Sequence, residues 1–289
     1  MAFTTRSLSP QESRVVLTLS ERGQRETTRT EIVTMLGATP KAADHVIESL
    51  RHKGWLERAS WGAYLLIPAE HGPDALGYGN HLALASRIAD PYYIGFGTAA
   101  AHYGLTTQHR NVIYVVTPVR LRGRKIGEAR VQIVNPSDTK FFGFEPVDVL
   151  GYKVMTSDRE KTAIDCIDHP SQAGGVGEAA SILATACRRF DWTKAADYLE
   201  RIGSGALARR FGWLVDFVKA DVPPEIRNSL FRLANSSRNT WLGPNPANTV
   251  VVQNAIGYDE TWHLFVNVTP EELQGSAGLG RRKAARKYA

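Results

Sequence analysis

Residues 28–67 read TRTEIVTMLGATPKAADHVIESLRHKGWLERASWGAYLLI, and the order of signals in them decides the fold of the N-terminal part of the chain. Thr28 or Thr30 supplies a helix cap, Ile32, Val33, Met35 and Leu36 an inward face, and Gly37 a stop. A second helix begins after Pro40 and runs to about Lys53, with Ala43, Val46, Ile47 and Leu50 spaced as one buried stripe. Its other face carries Lys41, Asp44, His45, Glu48, Arg51 and His52. Gly54 ends it, Trp55-Leu56-Glu57-Arg58 leads into a turn at Ser60-Trp61-Gly62-Ala63, and Tyr64-Leu65-Leu66-Ile67 returns as a strand. Helix, glycine turn, helix and hairpin in this order are what a winged helix-turn-helix requires.

Upstream, residues 9–21 (SPQESRVVLTLSE) predict a further helix, with Ser9 as cap, Pro10 at the first helical position and Glu12 completing a capping box. As a DNA reader, this domain would place Lys41, Asp44 and His45 against base edges, because the N-terminal residues of a recognition helix reach the major groove. Arg51, Lys53, Arg58 and Trp61 are the candidates for backbone or wing contacts. Residues 1–70 hold nine Lys and Arg against eight Asp and Glu. Phosphate affinity must then come from local placement and not from a uniformly basic surface.

The stretch at 68–79, rich in glycine and proline, reads as a linker, which divides the chain into a domain at 1–72 and a body at 80–289. The body predicts helices at 80–89 and after a cap at Thr98, then a β-branched strand at 111–117. Residues 119–130 (VRLRGRKIGEAR) hold Arg120, Arg122, Arg124, Lys125 and Arg130 in a hairpin-like excursion. Two readings stay open for it: a solvated connection, or a second phosphate-contacting or docking surface. Strands are expected at 131–134, 140–144 and 152–155, and Ser157-Asp158-Arg159-Glu160 opens a helix as a capping box. Residues 178–237 form successive helices, a helical layer, and strands return at 249–253 and 261–266. The last nine residues, RRKAARKYA, include five basic side chains that would add salt-sensitive affinity if they touch DNA. The expected class is therefore α/β, α+β overall: an N-terminal winged helix-turn-helix followed by a larger mixed body.

Composition bounds the function. With 289 residues, 43% hydrophobic and 22% charged, the chain lies in the globular range. It has neither a spanning apolar run nor a secretion signal, so a cytoplasmic location is expected. Cys166 and Cys187 sit in apolar helical patterns and read as buried thiols. The eight histidines are dispersed without metal-ligand spacing, and Asp158, Glu160, Asp165 and Asp168 are explained by a helix start without a metal. Gly174-Gly175-Val176-Gly177 lacks the Lys-Ser/Thr ending of a phosphate loop, no Gly-x-Ser-x-Gly elbow is present, and His102 reads as a packed residue. No catalytic site, metal or cofactor is expected.

The collected residues resemble the AbiEi family of antitoxins, from the type IV toxin-antitoxin and abortive-infection systems of bacteria. The resemblance rests on the wing closing as Trp61-Gly62-Ala63-Tyr64-Leu65-Leu66-Ile67-Pro68, on Thr98 through Gln108, on the strand ending Tyr114-Val115-Val116-Thr117, and on Ser157 through Cys166. Together these span roughly residues 10–168. Trp61 and Ala63 stand where the family more typically has a basic residue before the glycine and a bulkier one after it. The resemblance implies a repressor that binds inverted repeats of its own operator as double-stranded DNA, in one copy or two, and whose body counters a cognate nucleotidyltransferase-like toxin. Three other readings compete: a winged-helix transcription factor whose body senses a small molecule, a metal-dependent nuclease or nucleotidyltransferase using the acidic residues of the body, and a purely interacting scaffold that binds no specific DNA.

Overall fold

In a computed structural model the described residues are 6–60, 62–69, 78–108, 111–126, 129–149, 151–234, 240–244 and 255–277. Trp61, the central part of the linker, the strand expected at 249–253 and the basic C-terminal residues lie outside them. The fold is mixed α/β, with three sheets among the described residues. The chain divides into two compact units, one of Met1–Tyr93, Asn111–Ile133 and Pro146–Met155, the other of Ile94–Arg110, Val134–Glu145 and Thr156–Ala289.

The first unit opens with α1 (Pro10–Glu21), β1 (Glu26–Thr28), α2 (Arg29–Leu36), α3 (Pro40–His52), β2 (Leu56–Ser60) and β3 (Ala63–Leu66). These elements are the head. Ser9 and Glu12 form the capping box of α1, and Thr28, not Thr30, caps α2 through a second box with Glu31. Gly37 ends α2 in the left-handed conformation, at φ 59°. Thr39 caps α3 and Pro40 takes its first position. The strands form an antiparallel sheet in the order β1-β3-β2, with a register irregularity between Arg58 and Ser60. Val15, Val16, Leu19, Ile32, Ala43, Val46, Ile47, Leu50, Trp55, Leu56 and Leu66 make one core. Val33, Met35 and Leu36, expected to point inward, are only partly buried against it.

Two polar clasps fix the head. Arg6 donates to the carbonyl oxygens of Gly54, Ile67 and Pro68 at 3.0, 2.6 and 3.2 Å and stacks on Trp55, whose indole N–H donates to the Arg6 carbonyl. Buried Glu12 accepts from the Ser9 amide, the Ser49 hydroxyl at 2.6 Å and the Lys53 ammonium at 2.8 Å, tying α1 to the end of α3.

Next come α4 (Tyr78–Ala85), β4 (Tyr93–Ile94), α5 (Phe96–His102), β5 (Val112–Val116), β6 (Arg124–Ile126), β7 (Ala129–Val134), β8 (Phe144–Val149) and β9 (Tyr152–Ser157). The six strands form one sheet in the order β6-β7-β5-β4-β9-β8, with β6 and β7 an antiparallel hairpin and β4 and β9 parallel. The units do not divide at 72–80, because the head is bonded to later residues of its own unit. The Tyr152 hydroxyl donates to the Leu66 carbonyl at 2.5 Å, and Arg87 pairs with Glu26.

The second unit adds α6 (Arg159–Asp168), α7 (Pro170–Ala173), α8 (Val176–Ala186), α9 (Trp192–Ile202), α10 (Gly205–Phe217), α11 (Pro224–Ala234), β10 (Thr240–Trp241), β11 (Gly257–Asp259), β12 (Leu264–Val266) and α12 (Pro270–Ala277). Among its described residues α8 packs on α6 and α12, and α10 on α11; residues 235–237 of the helical stretch expected at 178–237 lie outside them. Gly174 and Gly175, at φ 119° and 111°, join α7 to α8 as a connector.

Four expectations are corrected. Phe96, not the residue after Thr98, opens α5, and Thr98 is buried inside its first turn. Asp158, not Ser157, caps α6 by accepting from the Lys161 amide at 2.8 Å, while the Ser157 hydroxyl bonds that of Thr162. No strand fills 140–144: Asp138–Lys140 is a 3-10 turn, and Gly143 takes φ 70° beneath Lys161 and Tyr198. The strand expected at 261–266 shrinks to β12, because Trp262 turns inward, stacks on Phe231 and donates its indole N–H to Asp216 at 2.8 Å.

Candidate nucleic-acid interface

The apolar stripe of α3 faces the head core, so its remaining face is set by the helical period. Lys41, Asp44, His45, Glu48, Arg51 and His52 are all exposed on it. The sheet turn lies close to the start of α2, since the Arg29 amide donates to the Gly62 carbonyl at 3.1 Å and Thr28 pairs with Ala63. Arg29 in turn reaches α3: its guanidinium grips the Asp44 carboxylate at 2.6 and 2.7 Å. Those hydrogen bonds hold the Asp44 carboxyl below its usual range.

The residues singled out from the sequence thus separate. Lys41 and His45 stand exposed on the first two turns of α3. Asp44, between them, is engaged by Arg29. Arg51 pairs with Glu48 one turn back at 2.7 Å. Lys53 is turned away, onto buried Glu12. Arg58 is exposed on β2 opposite Tyr64, and Trp61 lies outside the described residues. Three of the head's cations are therefore neutralised locally.

Arg29 went unnoticed in the sequence. A basic first helical residue opposes the helix dipole, and that misfit was the available signal for an external acidic partner. The pairing of Glu12 with Lys53 left no such trace, since forty-one positions separate the two residues.

Arg120, Arg122, Arg124, Lys125 and Arg130 are all exposed on β6, β7 and the segment entering them. The acidic residues near 158 have a different setting. Asp158 accepts from the Tyr198 hydroxyl at 2.7 Å and lies 3.1 Å from the Lys194 ammonium, and Glu160 accepts from the Asp191 amide at 3.1 Å. The Lys161 ammonium, fully buried, bonds both oxygens of Asp165 at 2.5 and 2.7 Å, and Lys140 pairs with Asp168. Burial opposes the charge on Lys194, but Asp158 and Glu160 outweigh it and raise its pKa. Burial, reinforced by Asp158, likewise pushes the Tyr198 phenol up. Each carboxylate of this network already has a donor. No group of three or more His, Cys, Asp or Glu among the described residues is arranged to hold a metal.

Cys166 is buried and Cys187 half-buried, both as free thiols, and burial pushes Cys187 up to about 12. Burial lowers the pKa of His102, whose ring packs edge-on to Tyr103. Among the described residues no helix is long and apolar enough to cross a membrane.

No protein-family model matches the chain, and no curated protein matches it. Its fold is similar to the crystal structure of the RV2827C protein from Mycobacterium tuberculosis, with a TM-score of 0.64 at 17% identity over 96% of this chain and 98% of that one. At that identity the likeness concerns the fold alone.

Proposed function

We propose that residues 6–69 are a winged helix-turn-helix, with α2 and α3 as the helix pair and the β2–β3 turn as the wing, and that the chain is a sequence-specific repressor binding double-stranded operator DNA. The observation that carries this reading is the exposure of Lys41 and His45 on the N-terminal turns of a helix whose opposite face is buried in the head core. A recognition helix presents base-reading side chains from that end. The pair between Arg29 and Asp44 supports it further by fixing α3 against α2 beside the turn.

The test is a gel-shift titration against DNA taken upstream of the chain's own reading frame. Lys41→Ala and His45→Ala should each weaken binding by about ten- to a hundredfold and relax sequence preference. Unchanged affinity and preference in both variants would sink the recognition-helix assignment.

On the resemblance of its motif segments to AbiEi antitoxins, we further propose that the repressor is the antitoxin of a toxin-antitoxin pair, autoregulating its operon and countering a nucleotidyltransferase-like toxin. The network around Asp158 supports a scaffolding role for the body, because its carboxylates are taken up by Lys161, Lys194 and Tyr198 and not held open for chemistry. Coexpression with a neighbouring nucleotidyltransferase-like gene tests this: growth should be restored by the full chain and not by the vector alone. Equal growth arrest with and without the chain would exclude an antitoxin role against that gene product.

A further inference from the structure

In the head, Asp44, Glu48 and Glu12 neutralise three cations, Arg29, Arg51 and Lys53. The hairpin of β6 and β7 is the reverse. Residues 119–130 contain five basic residues and one acidic one. Arg120, Arg122, Arg124, Lys125 and Arg130 are all exposed, and none of the five is ion-paired among the described residues. The antiparallel register places Lys125 directly opposite Arg130. Like charges facing each other across a strand pair destabilise it. The chain approaching β6 is pressed onto β7 at Gly123, where a Cβ would lie 2.6 Å from the Val131 carbonyl oxygen, so the segment bearing Arg120 and Arg122 is held against the hairpin.

This hairpin belongs to the same compact unit as the head. Among the described residues α4 packs against both β2 of the head and β6 of the hairpin. An eight-residue helix is about 12 Å long, and one turn of a duplex advances about 34 Å. Wing strand and hairpin therefore lie close enough to meet one duplex within a single turn.

We infer that the 119–131 hairpin is a second phosphate-binding surface, which contacts the backbone of the same DNA duplex beside the segment read by α3. This rests on the DNA-binding reading of the head. Charge complementarity selects the partner: a duplex carries one negative charge per about 1.7 Å of axis, which satisfies facing cations that no carboxylate among the described residues relieves. Protection of the β6 edge against strand pairing explains one or two basic residues. It does not explain like charges set opposite one another, nor the arginines before the strand.

The experiment is fluorescence anisotropy of the full chain on a labelled mixed-sequence duplex of about three helical turns, titrated at salt concentrations from about 50 to 200 mM. The double variant Lys125→Gln/Arg130→Gln should flatten the slope of log affinity against log salt by about 1.8, at roughly 0.9 for each phosphate no longer neutralised. The control Arg188→Gln/Arg189→Gln removes the same charge from an exposed site in the other unit and should keep the wild-type slope. Thermal melting of the hairpin variant should show an unchanged or slightly raised midpoint, as like-charge repulsion is relieved. Wild-type binding that depends on Lys41 and His45 but keeps its salt slope in the hairpin variant overturns the hairpin inference alone, leaving the head reading intact. So does aggregation of the variant with an unchanged slope, which assigns the charges to edge protection. Equal flattening by the control pair also overturns it, as an effect of net charge only. No duplex binding by the wild-type chain even at low salt overturns both readings together.

Discussion

Charge is used in opposite ways in the head and around α6. On the outer face of α3, Asp44 with Arg29 and Glu48 with Arg51 form pairs that water reaches freely. Around α6, Lys161 and Asp165 are buried, and Asp158 and Glu160 are closed off beneath Lys194 and Tyr198. Exposed pairs are screened and exchangeable, so they tune what the surface meets. A buried pair has lost its hydration and depends on its partner for compensation. The same residue types therefore specify a surface in one region and the packing of an interior in the other.

The sharpest way to break this comparison is Lys161→Ala, which leaves Asp165 buried beside an empty site. It should destabilise by about 3–5 kcal/mol, a loss of roughly 10 °C in Tm, read by calorimetry. Lys161→Met with Asp165→Leu should recover most of that loss, since removing both charges removes the desolvation penalty. A loss below about 1 kcal/mol for the single variant would show that the pair around α6 contributes no more than an exposed pair of the head.

Glu12 is the head's own exception, a buried carboxylate beside the half-buried Glu26 and Glu57 and the exposed acids of the surface. Burial pushes its pKa up, but hydrogen bonds from Lys53, Ser49 and Ser9 outweigh that and hold it at about 2, below its ordinary 4.5. With the folded pKa lowered, Glu12 contributes its stability above about pH 4.5 and loses it as the pH falls toward about 2. Denaturant melts across that window should show a loss on the order of 3 kcal/mol, absent in Glu12→Gln, which carries the deficit at neutral pH.

Tyr152→Phe deletes the hydrogen bond to the Leu66 carbonyl. It should cost about 1–2 kcal/mol by urea denaturation, because a buried acceptor loses its donor. The smallest stability effect belongs to the exposed pair. Asp44→Asn should leave the Tm unchanged, while on the DNA-binding proposal the released Arg29 should steepen the salt dependence of binding by about 1 in log-log slope. A Tm loss matching that of Tyr152→Phe would erase the contrast between surface and interior pairs.

Much of the head was legible in the sequence because its signals are local. Capping boxes at Ser9 and Thr28, Pro40 at a helix start, the left-handed Gly37 and the α3 stripe each lie within one or two helical turns. The candidate interface was legible only in part. Periodicity places Lys41 and His45 outside, but no local rule says that Lys53 reaches Glu12 or that Asp44 is held from α2. The body was less legible. A glycine at 143 that must accommodate Lys161 and Tyr198, and a tryptophan at 262 that packs against Gly212, each turn an expected strand into something else through residues far away in the chain.

By itself, then, the sequence determined where the helices of the head begin and end and which residues are basic, because capping, periodicity and composition act over a few residues, whereas β1, at Glu26–Thr28, needed its distant partner β3. Only the tertiary structure decided which of those charges are spent. It cancels Arg29 and Lys53 by carboxylates brought from other elements, buries Lys161 with Asp165, and sets Lys125 against Arg130 by strand register. The reason is that a charge acquires its role from its distance to other charges and to water, and both distances are set by packing.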